Sequence, residues 1–327
     1  SALTPNTEEW TRPYEPPFSC YLPGVWSTSN AMITARSVLE GAGTQNAGLA
    51  FGGSVPTSNA TEEYNGSSWS SSGNMIVARS QFGGNGVQDA AWAASGCGDP
   101  ANTGVYTSCT EEYNGSTWSN AAAAICARFE PSGTGTQNAG LLFGGLNPSY
   151  TARTDEYNGS SWSTGGNMIT ARGYMMAAGC TQDTSIVIGG GTPGQVTSVE
   201  SYDSSTESWS SMTALGAARY YGAAAGDCNS ALAFGTYNPN ACVCLWDGTS
   251  WSIEAALNVA GRYLGVGGNA DGAIVAGFSV EASPYAATNS ELFQAAFTTA
   301  SFGRVDATTL VGDVSQMSNL VKSGLVS

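Results

Sequence analysis

Short apolar runs alternate with polar, glycine-rich turns along most of the chain. In one clear unit, Ala139–Phe143 is an apolar run followed by two glycines. An acidic segment ending in Tyr157, an Asn-Gly dipeptide and a segment centred on Trp162 follow in that order. Each run is too short for a helix and is bounded by turn residues, which is typical of β-strands. With the segment after Arg128, the pattern predicts four strands per unit, named a, b, c and d in chain order.

The same unit recurs along the chain, marked by a Trp and by an Arg ten or eleven residues later. The Trp positions lie 42 to 49 residues apart, and an Asn-Gly turn between strands c and d recurs three times. Asn-Gly is the strongest short signal for a two-residue hairpin. Four antiparallel strands per repeat of this length predict a β-propeller blade, because such blades bury their faces only against one another. The six pairs are Trp26/Arg36, Trp69/Arg79, Trp118/Arg128, Trp162/Arg172, Trp209/Arg219 and Trp251/Arg262.

The ring is predicted to close with strands from both ends of the repeat region. Strands a and b occur six times, whereas complete c–d pairs occur five times. A leftover strand d around Trp26 and a leftover strand c at 289–293 complete a sixth blade, which leaves no exposed sheet edge. A seven-bladed ring is the alternative, with residues 20–21 as an additional strand c, but no seventh a–b pair accompanies it.

The sequence therefore predicts an all-β protein with three regions. Residues 1–24 form an N-terminal arm that holds five of the twelve prolines, residues 25–298 form the propeller, and residues 299–327 lose the repeat. Neither extension has the composition for a core of its own. We expect both extensions to dock on the ring or on another chain.

Composition and charge exclude several classes of function. The net charge is −15 and there is one lysine, so the chain lacks the basic surface that nucleic acids and anionic membranes require. No histidine is present, which excludes histidine-dependent catalysis and most zinc, copper and iron sites. We therefore predict no catalytic residues, no cofactor and no metal site.

The repeated residues are predicted to build the blades. An acid stands two residues before the aromatic of strand c in five repeats, at Glu62, Glu111, Asp155, Glu200 and Glu291, and Cys244 replaces it in the fifth. Buried pairs between these acids and the repeated arginines are the favoured interpretation, and an arginine ring that binds anions is the alternative. The repeated Trp side chains are predicted to pack between blades, with sugar stacking as the alternative.

Ligand contacts are better sought in aromatic residues that break the repeat. Exposed Tyr and Trp beside Asn and Ser suit contact with carbohydrate or protein. The candidates are Trp92, Tyr106, Tyr150, Tyr237 and Tyr285, with Tyr220 and Tyr221 in addition, and they are predicted to lie mainly in the loops after strand b.

The Gly-Gly after strand b, the acidic-x-Tyr-turn-Trp segment and the spaced Arg together resemble the kelch repeat over residues 25–294. The amino-acid sequence of the repeats carries a second, more specific resemblance. Residues 43–53, 61–69 and 73–79 resemble the near-identical repeats of virion structural proteins of marine tailed phages, especially those that infect cyanobacteria, and residues 323–327 resemble linker sequence in such proteins. Kelch-like enzymes of the galactose oxidase type need copper-binding histidines, so that activity is not implied.

The resemblance implies a non-enzymatic virion structural protein. In this hypothesis, a propeller in a tail appendage, fibre or decoration presents loops to a host glycan or protein, while the two extensions bind other virion proteins in an oligomeric assembly. A free, lectin-like propeller that binds carbohydrate is the second hypothesis. A glycan hydrolase on the same scaffold is the third, and no particular pair of acids is singled out for it.

Overall fold

The computed structural model describes residues 24–54, 56–98, 105–236, 241–262, 264–277 and 287–295. Within these ranges the chain is all-β, with six four-stranded antiparallel sheets and one short 3-10 turn, η1, at Gln182–Thr184. The prediction of a six-bladed propeller is confirmed, and the seven-bladed alternative is wrong. The predicted N-terminal arm and C-terminal extension lie outside the described residues, apart from Gly24. In the described part of the chain, no helix is long and apolar enough to cross a membrane.

The strands follow the chain from β1 to β26. Blade one consists of β2 Glu40–Thr44, β3 Ala47–Phe51, β4 Thr61–Tyr64 and β5 Trp69–Ser71. Blade two consists of β6 Gly83–Val87, β7 Ala90–Ala94, β8 Thr110–Tyr113 and β9 Trp118–Ala121. Blade three consists of β10 Ser132–Thr136, β11 Ala139–Phe143, β12 Thr154–Tyr157 and β13 Trp162–Thr164. Blade four consists of β14 Met176–Ala178, β15 Ile186–Ile188, β18 Val199–Asp203 and β19 Ser208–Met212. Blade five consists of β20 Ala223–Gly226, β21 Ala231–Phe234, β22 Val243–Trp246 and β23 Trp251–Glu254. Blade six consists of β24 Gly265–Gly268, β25 Gly272–Ala276, β26 Ser290–Gln294 and β1 Val25–Thr28. A two-stranded ribbon, β16 Gly191–Thr192 and β17 Gly194–Gln195, lies between β15 and β18.

The sixth blade joins the two ends of the repeat region, as the sequence predicts. Strand β1 pairs antiparallel with β26, and Trp26 lies opposite Phe293. Strand β1 thus supplies the strand d that follows strand c in every other blade. This pairing covers the backbone groups that an open ring would leave unpaired.

The innermost strands approach closely enough that small residues are required there. Each strand a lies beside the strands a of the neighbouring blades. A Cβ atom added at Gly133 of β10 would lie 2.5 Å from the backbone nitrogen of Gly84 in β6, a distance that real Cβ atoms do not adopt. Glycine and alanine in strand a therefore set how tightly the blades converge on the axis.

The repeated Trp side chains lie between blades. The ring of Trp118 in β9 is 5.1 Å from the ring of Phe51 in the preceding blade, and its indole N–H donates to Thr61 Oγ1 at 2.9 Å. Trp209 repeats this contact by donating to Thr154 Oγ1 at 2.9 Å. Aromatic packing and one hydrogen bond thus fix each blade against its neighbour.

A second inter-blade link comes from glutamines in the turn between strands a and b. The Gln137 side-chain amide donates to the backbone oxygens of Ala91 at 3.1 Å and Tyr113 at 2.8 Å, both in the preceding blade. Gln88 and Gln182 make equivalent pairs of bonds. The repeated Gly-Thr-Gln-Asn turn therefore joins blades, a role that the sequence analysis missed.

Replacement of Gln137 by alanine is expected to lower the free energy of unfolding by about 1–3 kcal/mol, because two partly buried carbonyl groups lose their donor. Urea unfolding followed by tryptophan fluorescence measures the change. The control is Gln195→Ala in the exposed β16–β17 ribbon, which should change the free energy by less than about 0.5 kcal/mol. Equal effects of the two substitutions would contradict the link.

The ring has two different faces. The a–b and c–d hairpins lie at one end of the strands, here called the hairpin face, and their turns are rich in Asn, Ser, Thr and Gly. The b–c and d–a connections, such as 72–82 between β5 and β6, lie at the other end, here called the loop face. The chain enters the ring at Val25 and leaves it after Gln294, which are paired at the hairpin face.

Candidate functional site

Most of the repeated arginines are buried inside the blades. The Arg79 guanidinium forms an ion pair with Glu111 and donates to the backbone oxygens of Ser95 at 3.3 Å and Cys109 at 2.8 Å. Glu111 in turn accepts backbone N–H groups from Ile76 at 2.7 Å and from residue 77 at 3.1 Å. Each such arrangement connects strands b and c and holds the connection that leads into strand a.

The same arrangement recurs in other blades with small variations. Ion pairs join Arg36 to Glu62 at 3.1 Å, Arg128 to Asp155 at 2.5 Å, and Arg172 to Glu200 at 2.6 Å. Burial lowers the pKa of Arg36 to about 10, against the opposing effect of Glu62, so the guanidinium stays charged at neutral pH. With Arg79, these guanidinium groups are enclosed and occupied, so the anion-binding alternative is wrong for all four.

The fifth blade departs from this arrangement. Arg219 donates to the Cys244 thiol sulfur at 3.3 Å and to the backbone oxygen of Cys242 at 2.9 Å. Its side chain is slightly exposed, whereas Arg79 and Arg128 are fully buried. The neutral thiol thus replaces the carboxylate without loss of the local fold.

The sixth blade differs from the others at its arginine. Arg262 is half-buried, whereas the repeated arginines of the other blades are buried. Glu291 still accepts the backbone N–H groups of Asn258 and of residue 259, both at 2.8 Å, and it also accepts the Asn258 side-chain amide at 3.0 Å. The carboxylate half of the arrangement is therefore retained in this blade.

A one-residue insertion precedes Arg262 in the sixth blade. In the first blade, Ile33 is the first residue whose N–H group binds the carboxylate, and it stands three residues before Arg36. The equivalent residue in the sixth blade, Asn258, stands four residues before Arg262. The same insertion makes the Trp–Arg spacing of this repeat eleven residues instead of ten. The anchored end of the connection is unchanged, and the arginine follows it one residue later than in the first blade.

Trp92 does not lie in a loop, so that prediction is wrong. It lies on β7, is fully buried, and packs against Trp162 with the rings 5.6 Å apart. Two glycines of the next blade make room for it, because a Cβ at either Gly133 or Gly140 would lie 2.9 Å from the Trp92 indole. Trp92 is therefore a core residue. Tyr237 and Tyr285 lie outside the described residues.

The other predicted loop aromatics gather on the loop face. Tyr174 lies at the centre of the group, with ring distances of 4.4 Å to Tyr221, 6.2 Å to Tyr150 and 6.3 Å to Phe129. The tyrosine cluster is defined as Tyr106, Phe129, Tyr150, Tyr174, Tyr220 and Tyr221. All six side chains are half-buried, so the cluster presents both ring faces and hydroxyl groups at the surface.

A ring of exposed isoleucines surrounds part of the same face. Each stands three residues before a repeated arginine, and the exposed fractions are 57% for Ile33, 51% for Ile76, 45% for Ile125 and 59% for Ile169. These four residues are named the isoleucine arc. Three of their backbone N–H groups bind the buried carboxylates, as for Ile33 and Glu62 at 2.7 Å. The arc is thus apolar, exposed and held in a fixed position.

Five residues near the axis share an unusual backbone conformation. Val38, Gln81, Glu130, Tyr174 and Tyr221 each follow a repeated arginine by two residues and have φ between 51° and 64°. Left-handed conformations are costly for residues other than glycine and cluster at functional sites. The repeat therefore fixes the backbone here while the side chain differs in each blade. The sequence analysis did not identify Glu130 or Tyr174 from this position.

These residues surround a small cavity at the loop-face end of the axis, named the axial pocket. Its volume is about 70 Å³, and Glu40, Gln81, Glu130, Tyr174 and Tyr221 contribute to its wall. The Oε1 atoms of Glu130 and Gln81 are buried and accept no hydrogen bond within the described structure.

Both carboxyl groups of the axial pocket are strongly perturbed. Burial raises the pKa of Glu130 to about 8, with a hydrogen bond from Gln81 acting in the opposite direction. Burial, and then the charge of Glu130, raise the pKa of Glu40 well above its usual range. The pocket therefore holds closely coupled acids in surroundings that disfavour negative charge.

A larger cavity occupies the centre of the ring, and Glu40 and Asp271 are among the residues that line it. It measures about 460 Å³ and is lined by the glycines and alanines of the strands a, with polar side chains such as Thr44, Asn85 and Thr136. Among the described residues, no group of three or more His, Cys, Asp or Glu side chains is arranged to hold a metal ion.

Comparison with known proteins supports the fold. No family model matches the chain, and no curated protein matches it. Solved structures do match, among them one titled "Structure of YjhT", with a TM-score of 0.66 and 13% sequence identity, covering 80% of this chain and 95% of that one. At this identity, the similarity establishes a shared propeller fold and nothing further.

Proposed function

We propose that this propeller is a non-enzymatic contact module in the particle of a tailed phage. The extensions that flank the ring bind it to other virion proteins, and the loop face contacts the host surface or a neighbouring subunit. The observation that carries this proposal is the difference between the two faces of the ring. Tyrosine and isoleucine side chains gather on the loop face, whereas the chain enters and leaves at the polar hairpin face.

The exposed apolar side chains support a contact role for the loop face. Scattered surface leucines or isoleucines are ordinary, but here the same exposed position recurs in four blades. Buried carboxylates hold the backbone at that position, so forming a contact orders few additional groups. Aromatic residues such as Tyr150 and Tyr174 add the chemistry that protein and glycan partners use most often.

The assignment to a phage particle is supported by the sequence of the repeats. The resemblance to kelch repeats covers residues 25–294, and residues 43–53, 61–69 and 73–79 resemble the repeats of virion proteins of marine tailed phages. A rigid ring suits a role in which shape and surface, instead of chemistry, determine the partner. Peptide mass spectrometry of purified particles tests this assignment: presence in fixed stoichiometry with the major capsid protein is expected, and absence would contradict it.

The isoleucine arc is expected to be essential for that contact. Simultaneous substitution of Ile33, Ile76, Ile125 and Ile169 by serine should leave the melting temperature within a few degrees of wild type, because these side chains are exposed. Adsorption of particles that carry the variant, or its incorporation into particles, should fall at least about tenfold through lost apolar contact.

The matched control replaces exposed apolar residues that lie away from the loop face. Ile253 is 84% exposed on β23 and Val87 is 48% exposed at the hairpin-face end of β6. Their substitution by serine should alter neither adsorption nor incorporation. Equal losses in the control and in the arc variant would contradict a specific loop-face contact.

A carbohydrate-binding propeller that acts outside a particle is the second candidate. The tyrosine cluster favours it, because half-buried tyrosines offer ring faces for stacking on sugars. A glycan array probed with the isolated chain tests it. Saturable glycan binding that is lost in Tyr150→Ala, together with absence of the chain from particles, would favour this candidate over the first.

A further inference from the structure

The ion pairs that join Arg36, Arg79, Arg128 and Arg172 to the acids of strand c are named the ladder of buried pairs. The axial pocket differs from this ladder because its acidic side chains have no positive partner among the described residues. In the ladder, an acid faces an arginine, as Glu111 faces Arg79. In the axial pocket, Glu40 and Glu130 face each other, and neither forms an ion pair among those described. Burying an acid without a partner is costly, so the pocket favours a group that brings positive charge.

The pocket also has unused hydrogen-bond acceptors. The Oε1 atoms of Glu130 and Gln81 are buried and without a partner in the described structure, and Glu40 lines the same cavity. Native structures rarely leave buried acceptors unpaired, so such atoms call for a specific explanation. These three side chains present acceptors to one small volume.

We propose that the axial pocket binds a primary alkylammonium group. Such a group carries one positive charge and three N–H donors, which match the acceptors of Glu40, Gln81 and Glu130. Its carbon stem leaves the pocket past Tyr174 and Tyr221, whose rings lie 4.4 Å apart at the wall. The tyrosine rings then contact the stem and the cation.

The size and ligands of the pocket exclude other cations. A volume of about 70 Å³ accommodates an ammonium group but leaves little room for the planar fork of a guanidinium. The described residues offer a metal ion two carboxyl groups here and no group of three or more His, Cys, Asp or Glu side chains, so an ammonium group, which needs no such group, fits better. A quaternary ammonium has no N–H donor and would leave the buried acceptors unpaired.

The backbone supports a binding role for the same residues. Gln81, Glu130, Tyr174 and Tyr221 all adopt the left-handed conformation, which packing elsewhere must stabilise. Such strain positions side chains before a ligand arrives. The repeated arginine two residues earlier fixes each of these positions, so the pocket is rigid before binding.

Binding is expected to be linked to proton release. Below about pH 8 the Glu130 carboxyl of the empty pocket retains its proton, and an arriving ammonium group displaces it to solvent. The titratable groups that face the pocket are Glu40, Glu130, Tyr174 and Tyr221. Affinity should therefore rise with pH up to about pH 8, provided that the amine stays protonated.

Calorimetric titration of the full chain with n-butylammonium chloride at constant ionic strength tests the proposal. Saturable binding at one site per chain is expected, with n-butanol and tetramethylammonium binding at least about tenfold more weakly. At pH 7, titration in two buffers of different ionisation enthalpy should report proton release. Absence of saturable binding would overturn the proposal.

Two variants separate a built site from general attraction to an acidic protein. Glu130→Gln and Asp89→Asn each replace one carboxyl group by an amide, but Asp89 is exposed at the hairpin face. Glu130→Gln should weaken butylammonium binding at least about tenfold and reduce the proton release, as expected for a lost charge-assisted bond. Asp89→Asn should bind like wild type, and equal behaviour of the two variants would overturn the proposal. Thermal unfolding checks that both variants fold, and Glu40→Gln serves as a second pocket variant.

The source of the ammonium group is distinguished by the ligand used. Nα-acetyl-lysine methylamide represents a lysine on a partner protein, and glucosamine represents an amino sugar. The ligand that binds more tightly than n-butylammonium identifies the source. The site requires only the ring, so this result stands independently of whether the chain belongs to a phage particle.

Discussion

Replacement of Glu111 by alanine is expected to lower the free energy of unfolding by about 3–5 kcal/mol, the largest effect predicted for a single substitution in this protein. Arg79 and Glu111 are both fully buried, so the substitution leaves an enclosed guanidinium without its counter-charge. The backbone N–H groups of Ile76 and residue 77 lose their acceptor as well. Urea unfolding at pH 7 measures the change.

The fifth blade supplies the matched control, because Cys244 stands where the other blades have an acid. Cys244→Ala removes a weak acceptor from Arg219 and no charge, so the free energy of unfolding should fall by about 1 kcal/mol or less. Cys244→Asp should restore an ion pair and cost less than Cys244→Ala. If Glu111→Ala and Cys244→Ala were equally destabilising, the ladder of buried pairs would not stabilise the blades as argued.

Stability should fall as the pH rises from about 4.5 to about 8. The pKa of Glu130 is raised from 4.5 to about 8 in the folded chain, mainly by burial. Between these values the folded state keeps a proton that the unfolded state releases, so folding becomes less favourable with increasing pH. One such group contributes at most about 1.4 kcal/mol per pH unit, and partial solvent access reduces this slope.

The Glu130→Gln variant isolates this contribution. At pH 8–9 its free energy of unfolding should be close to or above that of wild type. At pH 5 the difference between variant and wild type should be less favourable to the variant. Chemical unfolding at a series of pH values measures the slope, and Asp89→Asn is again the control, as an acid-to-amide change at an exposed site. A wild-type slope that is unchanged in Glu130→Gln would show that Glu130 does not titrate as described.

Periodicity predicted the fold because the repeat encodes it several times over. The hairpin signals, the Gly-Gly pairs and the Trp–Arg spacing all specify four strands per blade, and the unpaired ends around Trp26 and Phe293 predicted how the ring closes. Local strand signals and the count of half-blades are both sequence properties. No tertiary information was needed for this level of the description.

Small departures from the repeat period coincide with structural differences between blades. The Trp251–Arg262 spacing is one residue longer than the other five, and Arg262 is the repeated arginine that the structure leaves half-buried. The spacing was visible in the sequence, but its consequence depends on which end of the connection is anchored.

Contacts between blades could not be predicted in the same way. Trp92 breaks the repeat and resembles a loop aromatic, but Gly133 and Gly140 in the next blade leave the space that its ring fills. Such complementarity joins positions that are more than 40 residues apart in the chain. It becomes visible only when the two blades are placed side by side.

The axial pocket was not predicted from the sequence, because the residue type at its wall positions differs from blade to blade. The position two residues after the repeated arginine holds Val, Gln, Glu and Tyr in different blades, which resembles an unconstrained loop. The left-handed φ at Glu130 and Tyr174 cannot be recognised from residue type, since neither is a glycine or an asparagine. A fixed spacing from a structural residue, combined with variable side chains, was the available signal.

The central claim is that the loop face is the surface that binds a partner. Hydroxyl-radical footprinting of the isolated chain, of free particles and of particles adsorbed to host cells tests it directly. We expect Ile33, Ile76 and Ile169 to react in the isolated chain and to become protected in free or adsorbed particles, while Ile253 stays reactive. Protection of Ile253 or of the hairpin turns, with the isoleucine arc equally reactive in all three states, would contradict it.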